Sequence, residues 1–157
     1  MKQFPENRRY GLIIAIVILV SATIIIGLNY FSIRTLSAIR AFANVESEYS
    51  KGQKDATRLL ISYLDTDNSE YFRKFQEEIS VPIGDRNARI GLQRGNKKAK
   101  IKEGFLQGRN QSADIKDMIW LFKNFNQVSY FRKTVKEWTA ADRHVSDLIQ
   151  MGNSVRR

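Results

Sequence analysis

Few side chains in this 157-residue sequence could do chemistry, and they are of a narrow kind. There is no cysteine and a single histidine, His144. A thiol nucleophile, a disulfide framework, a cysteine-bound zinc and any site built on two imidazoles are therefore excluded. No nucleophile beside a base, no metal cluster and no paired carboxylates at a workable spacing can be assembled, so the expectation is a protein that is not an enzyme and holds neither metal nor cofactor. What remains is charge: 26 Lys and Arg stand against 16 Asp and Glu, a net charge of +10. One acidic residue breaks an apolar register. Val128, Phe131, Val135, Trp138, Asp142, Val145 and Ile149 follow one another at steps of three and four, which puts all seven on one helix face. A carboxylate at such a position faces a polar end of the bundle, takes a hydrogen-bonded or ion-paired partner, or serves a ligand.

The elements that would position these residues begin with a membrane segment. From Tyr10 to Ile33 run 24 residues without a formal charge, 18 of them hydrophobic. As a helix that stretch is about 36 Å long against a hydrocarbon core of about 30 Å, enough to span with some tilt. Its apolar run is too long for a signal peptide, and Gly27-Leu28-Asn29-Tyr30-Phe31 offers no small-residue cleavage site, so an uncleaved anchor is expected. Lys2, Arg8 and Arg9, offset only by Glu6, precede the span, and this denser cationic flank places the N-terminus in the cytoplasm and the rest of the chain outside. The expected organisation is a basic leader at 1–9, a transmembrane helix at 10–33, an extracytoplasmic domain at 34–153 and a juxtamembrane end at 154–157. The chain would thus cross the membrane once.

Beyond the span the periodicity is helical. Phe42, Val45, Tyr49, Gly52, Ala56, Leu59 and Tyr63 form one seam, and no proline or breaker cluster interrupts Ile33 to Leu64, so the membrane helix is expected to run on as the first helix of the domain. Asp67 or Asn68 would cap the next helix, with Glu70 at its dipole-favoured start. That helix, Ser69 to Ser80, buries Phe72, Phe75 and Ile79 and is expected to break at Val81-Pro82, because a residue before proline is pushed out of the helical region. A short helix over 83–93, a basic loop at Arg94-Gly95-Asn96-Lys97-Lys98, a segment from Ala99 to Gln107, a helix capped by Ser112 and the final Asp142-bearing helix complete the order. Gly104 and Gly108 read as turn residues. The fold class is all-α: an N-terminal transmembrane helix continuing into an antiparallel four-helix bundle whose first and last helices bring both domain ends near the membrane.

Several ordered blocks carry a resemblance. They are Ser50-Lys51-Gly52-Gln53-Lys54-Asp55-Ala56, Val81-Pro82-Ile83-Gly84-Asp85-Arg86-Asn87-Ala88-Arg89, Gly104-Phe105-Leu106-Gln107-Gly108-Arg109-Asn110 with Asp114-Ile115 and Met118-Ile119, and Val128-Ser129-Tyr130 with Trp138. Over residues 36 to 150 the sequence resembles the extracytoplasmic helical-bundle sensor region of bacterial membrane signalling proteins, both sensor histidine kinases and cyclic di-GMP cyclases or phosphodiesterases. The resemblance implies a bacterial inner-membrane location, a periplasmic sensor domain and a parallel homodimer. Members of that family continue into a second membrane helix and an output domain, whereas this chain stops at Gly152-Asn153-Ser154-Val155-Arg156-Arg157 and lacks every output motif, so a fragment or truncated product is expected.

Within those blocks the candidate ligand-binding residues are Lys54, Asp55, Asp85, Arg86, Arg89 and Asn110, joined by Asp142 from the last helix. Arg86 and Arg89 share a helical face, and a guanidinium pair suits a carboxylate or phosphate ligand, or an internal partner among Asp55, Asp85 and Asp142. The run Lys97, Lys98, Lys100 and Lys102 lacks interleaved aromatics and lies outside the cell on this topology, so no nucleic-acid partner is expected. The leading expectation is a sensory input module for a small anionic ligand or an envelope protein. The alternative is a membrane-anchored helical adaptor that senses nothing.

Overall fold

The computed structural model describes residues 4–156; Lys2 of the basic leader and Arg157 lie outside the described residues, as does the side chain of Glu6. The described residues form five helices: α1 Phe4–Thr66, α2 Ser69–Gln93, α3 Lys98–Gln107, α4 Ser112–Phe125 and α5 Ser129–Val155. The chain divides into two compact units, one ending at Leu36 and one beginning at Ser37.

In the first unit α1 is long and apolar enough to cross a membrane, and its residues 8–33 are exposed throughout. A helix able to lie in hydrocarbon, which offers no hydrogen bonds, would have to satisfy its polar groups within itself. Thr23 Oγ1 donates to the Leu19 carbonyl at 2.8 Å and Asn29 Nδ2 to the Ile25 carbonyl at 3.0 Å, both within the helix.

In the second unit the buried side of α1 is Ala38, Ala41, Val45, Tyr49, Gly52, Ala56, Leu60 and Tyr63. Five of the seven expected seam positions are among these. Leu59 and Phe42 lie half-buried beside them, since a helix facing a core buries a stripe wider than a two-residue seam. Asn68 caps α2, its side chain accepting from the Glu70 N–H at 2.9 Å.

α2 does not break at Pro82. It runs helically for 25 residues, and the separate helix expected over 83–93 is its second half. An interior proline costs about 3 kcal/mol. Tertiary burial offsets that cost: Val81 is 1% exposed and Pro82 is fully enclosed. The contact depends on Gly52 of α1, where an added Cβ would lie 3.0 Å from Val81 Cβ, 3.1 Å from the Glu78 carbonyl and 3.1 Å from Pro82 Cδ. The bare backbone of α1 thus covers the turn of α2 that proline weakens.

Gly104 and Gly108 are also more than turn residues. A Cβ on Gly84 of α2 would stand 2.6 Å from both the Gly104 carbonyl and the Gly108 nitrogen, and one on Gly104 would stand 2.8 Å from the Ala88 nitrogen. Helices α2 and α3 therefore cross with almost no side chain between their backbones. The left-handed residue that ends α3 is Arg109, at φ 60°, not glycine. The amide of Asn110 bonds the Phe105 carbonyl and that of Arg109 the Leu106 carbonyl, which completes the helix cap. Ser112, expected to cap α4, is instead its first helical residue; Gln111 holds the cap position and no side chain caps it.

Two cores result. Tyr49, Ala56, Leu60, Tyr63, Phe72, Phe75, Ile79, Val145 and Leu148 pack between α1, α2 and α5. Ala41, Val45, Ala88, Ile101, Phe105, Ile115 and Met118 pack between α1, α2, α3 and α4. Trp138 lies against both. Along α5, Phe131 meets Phe42, Trp138 meets Tyr49, and Gly152 and Arg156 meet Phe75 and Phe72 near the far end of α1. Helix α5 therefore runs in the same direction as α1, so the last helix does not return to the end at which α1 enters the unit. Ser154 and Val155, expected as a juxtamembrane end, belong to α5. The sequence pattern could show which face each helix buries but not its direction.

Gly84→Val should lower the stability of the detergent-solubilised chain by about 1–3 kcal/mol, because the new side chain meets backbone atoms that cannot rotate away. Urea unfolding followed by circular dichroism reads the loss, with the exposed Gln93→Ala as the variant expected to stay near the parent.

Candidate functional site

The Asp142 anomaly resolves into a buried ion pair. α2 brings Arg89 inward at 1% exposure, and α5 brings Asp142 opposite it; Arg89 Nη2 donates to Asp142 Oδ2. Arg89 Nη1 donates to Thr139 Oγ1 at 2.7 Å, one turn earlier on α5, and the guanidinium carbon sits 5.5 Å from the Trp138 ring centre. One turn earlier on α2, half-exposed Arg86 places Nε 3.7 Å from Asp142 Oδ2 and donates from Nη1 to Ser146 Oγ at 3.3 Å. The phenol oxygen of Tyr49 on α1 lies 3.5 Å from Asp142 Oδ1. Burial, reinforced by the Asp142 charge, pushes the Tyr49 hydroxyl well above its ordinary pKa, so it stays protonated and able to donate. Of the three internal partners considered for the arginine pair, Asp142 is the one used. The carboxylate that a ligand could have supplied is already present in the chain.

Asp85 and Asn110 form a second, separate cluster. Asp85 is fully buried, and its Oδ1 accepts from Asn110 Nδ2 at 2.6 Å, while the same amide group donates to the Phe105 carbonyl at 2.9 Å. A Cβ on Gly108 would lie 2.0 Å from Asp85 Oδ1, so glycine at that position makes room for the carboxyl. Asp85 Oδ2 has no hydrogen-bond partner. Burial is the main reason its pKa rises to about 8; the Asn110 hydrogen bond works against that rise and nearby Glu48 adds to it. Beside this cluster Arg109 grips Glu78 with two bonds of 2.8 and 2.9 Å, tying the α3 cap back to α2.

Lys54 and Asp55 do not join either cluster. Asp55 pairs with Arg58 of the same helix at 3.3 Å, and Lys54 is exposed; together they line a shallow surface depression on α1. The seven candidates thus separate into an ion-paired trio of Arg86, Arg89 and Asp142, in which Arg89 is buried, the Asp85–Asn110 pair and a surface dipeptide. Tyr49 and Thr139 were not read from the sequence as members of the ion-pair cluster. The available signal was their spacing, since Thr139 stands one turn before Asp142 and Tyr49 carries a hydroxyl on a buried seam.

Two hollows adjoin these clusters. One, of about 740 Å³, has Leu92, Phe122, Phe131 and Val135 with Lys123 and Lys136 among its lining residues, between α2, α4 and α5. The other, of about 250 Å³, lies between α1 and α5 and is walled by Phe42, Tyr49 and Trp138. No family model, curated protein or solved structure matches the chain.

Asp142→Asn strands the Arg89 charge in the interior and should cost about 3–5 kcal/mol, while the double change Arg89→Met with Asp142→Leu should recover most of it. Urea unfolding of the three proteins checks this. Asp85 gives a pH signature. Its pKa is 3.8 ordinarily and about 8 when folded, so between those values the folded chain keeps a proton that the unfolded chain has released. Its contribution to stability is therefore full in acid and is lost as pH rises towards 8. Asp85→Asn should flatten that part of the stability profile between pH 5 and 8, read as urea midpoints in a pH series.

Proposed function

We propose that the chain is a membrane-anchored sensory input module of a bacterial signal-transduction protein, of the histidine kinase or cyclic di-GMP type. It detects an envelope ligand or partner and passes the event on as a helix displacement. The observation that carries this reading is α1, helical from Phe4 to Thr66, whose apolar stretch and whose core-facing seam belong to one element. Packed helices adopt discrete arrangements, so a ligand that favours one arrangement by a few kcal/mol shifts the population. In the second unit the element that would move against α1 is α5, which lies along it in the same direction with a hollow between them.

The reading places the first unit in the bacterial inner membrane, the N-terminus in the cytoplasm and the helical bundle in the periplasm, with a homodimer as the signalling form. The sequence blocks that resemble sensor regions and the cationic leader support it, and so does the absence from the sequence of a catalytic constellation. An adaptor would need a contiguous apolar face. The large exposed hydrophobics after Ser37 are instead spread over α1, α3, the α4–α5 turn and α5, as Ile39, Ile61, Leu64, Leu106, Val128, Tyr130 and Met151.

Because the sequence contains no cysteine, single-cysteine labelling reads topology without background. Lys98→Cys expressed in intact bacteria should react with a membrane-impermeant maleimide, whereas Arg8→Cys should react only after the membrane is opened. The reverse pattern would put the bundle in the cytoplasm, out of reach of any envelope ligand.

A further inference from the structure

The hollow between α1 and α5 has a chemistry opposite to that of the chain as a whole. In a protein of net charge +10, neither lysine nor arginine lines it. Its charged residues are Glu46 on α1 and Glu137 on α5, both exposed, and neither forms an ion pair among the described residues. The wall between them is aromatic. The Trp138 ring stands nearly perpendicular to Phe42, at 87° and 5.6 Å between centres, and to Tyr49, at 86° and 6.4 Å. Gln53 closes one side.

We propose that this hollow is a binding site for a small organic cation, of the methylated-ammonium or primary-amine class. Ring faces carry negative quadrupole potential and attract an ammonium group, most strongly one that is weakly hydrated. Two carboxylates at the mouth supply the counter-charge and draw a cation from bulk solvent. The aromatic walls are held in place from behind: Tyr49 is 5% exposed and reaches the Asp142 network, and Trp138 is backed by Arg89, whose charge Asp142 neutralises. A volume of about 250 Å³ admits a trimethylammonium group with a short tail. The site deepens the sensory reading and rests on it for its meaning, because a ligand there touches the two helices whose relative placement would carry the signal.

The test uses the purified full chain in a non-ionic detergent and choline chloride as the probe, with saturation-transfer NMR on the N-methyl resonance. Saturable binding at about millimolar affinity is expected for so small a ligand. The neutral isostere 3,3-dimethylbutan-1-ol should bind about tenfold more weakly, as should choline to the double variant Glu46→Gln with Glu137→Gln, whose surface changes leave the core untouched. Butyrate should not compete. Equal binding of choline and its neutral isostere, undiminished binding to the double variant, or no saturable binding would each overturn the proposal. Binding is read on the isolated chain, so such a result removes the cation site alone, while the sensory reading stands or falls on the labelling pattern in cells.

Discussion

A guanidinium removed from water has to meet a negative charge, and the arrangement of the second unit follows from where Arg89 meets one. Asp142 is the carboxylate, Thr139 takes a second donor, and Trp138 covers the flat face, so three residues on one stripe of α5 are committed to a single side chain of α2. Sliding α5 by one turn would take Asp142 away from Arg89 and leave that enclosed guanidinium without its carboxylate, at a cost of about 3–5 kcal/mol. The pair therefore fixes the register of α5, and with it the side of α5 that faces α1. Aligned by this anchor, Val145 and Leu148 enter one core while Trp138 touches both.

The second constraint is the absence of side chains where backbones meet. Gly52 lets α1 lie over the proline turn of α2, and Gly84, Gly104 and Gly108 let α3 close against α2. Such crossings leave little space between backbones, so α1 and α3 are both seated directly on α2. The one soft element in it is chemical: Asp85, enclosed at the α2–α3 crossing, holds its proton up to about pH 8 because its burial disfavours the charge. A neutral carboxyl there is compatible with the single hydrogen bond it receives; an ionised one is not well served by it.

Much of this was legible in the sequence, and the reasons for the rest are physical. Seams at steps of three and four marked the buried stripe of α1 and, at Val135 and Val145, part of that of α5, where Leu148 and Gly152 are buried as well and Val128 is exposed; the carboxylate in the α5 seam called for a partner, an ion pair being one possibility among several. A cap at Asp67 or Asn68 was readable because such a side chain acts within its own turn; the structure uses Asn68. Pro82 misled, since the local preference against helix before proline is weaker than the burial gained by Val81 and Pro82 against Gly52. The choice of Asp142 over Asp55 and Asp85 as the arginine partner depends on a contact 53 residues apart in sequence, and the direction of α5 on α1–α5 contacts more distant still, such as Tyr49 to Asp142 at 93; neither leaves a periodic trace. Gly104 and Gly108 looked like turn residues because close helix crossings and turns draw on the same residue type.

A single helix that serves both as anchor and as core element is the idea on which the sensory account turns, and amide hydrogen exchange on the full chain in lipid nanodiscs measures it directly. The account requires slow exchange without interruption from Tyr30 through Val45, at least about a thousandfold slower than an unstructured chain. Rapid exchange confined to Ile33–Phe42, flanked by protected segments on either side, would mean two helices joined by a flexible hinge. No displacement could then pass between them, and the account would be contradicted.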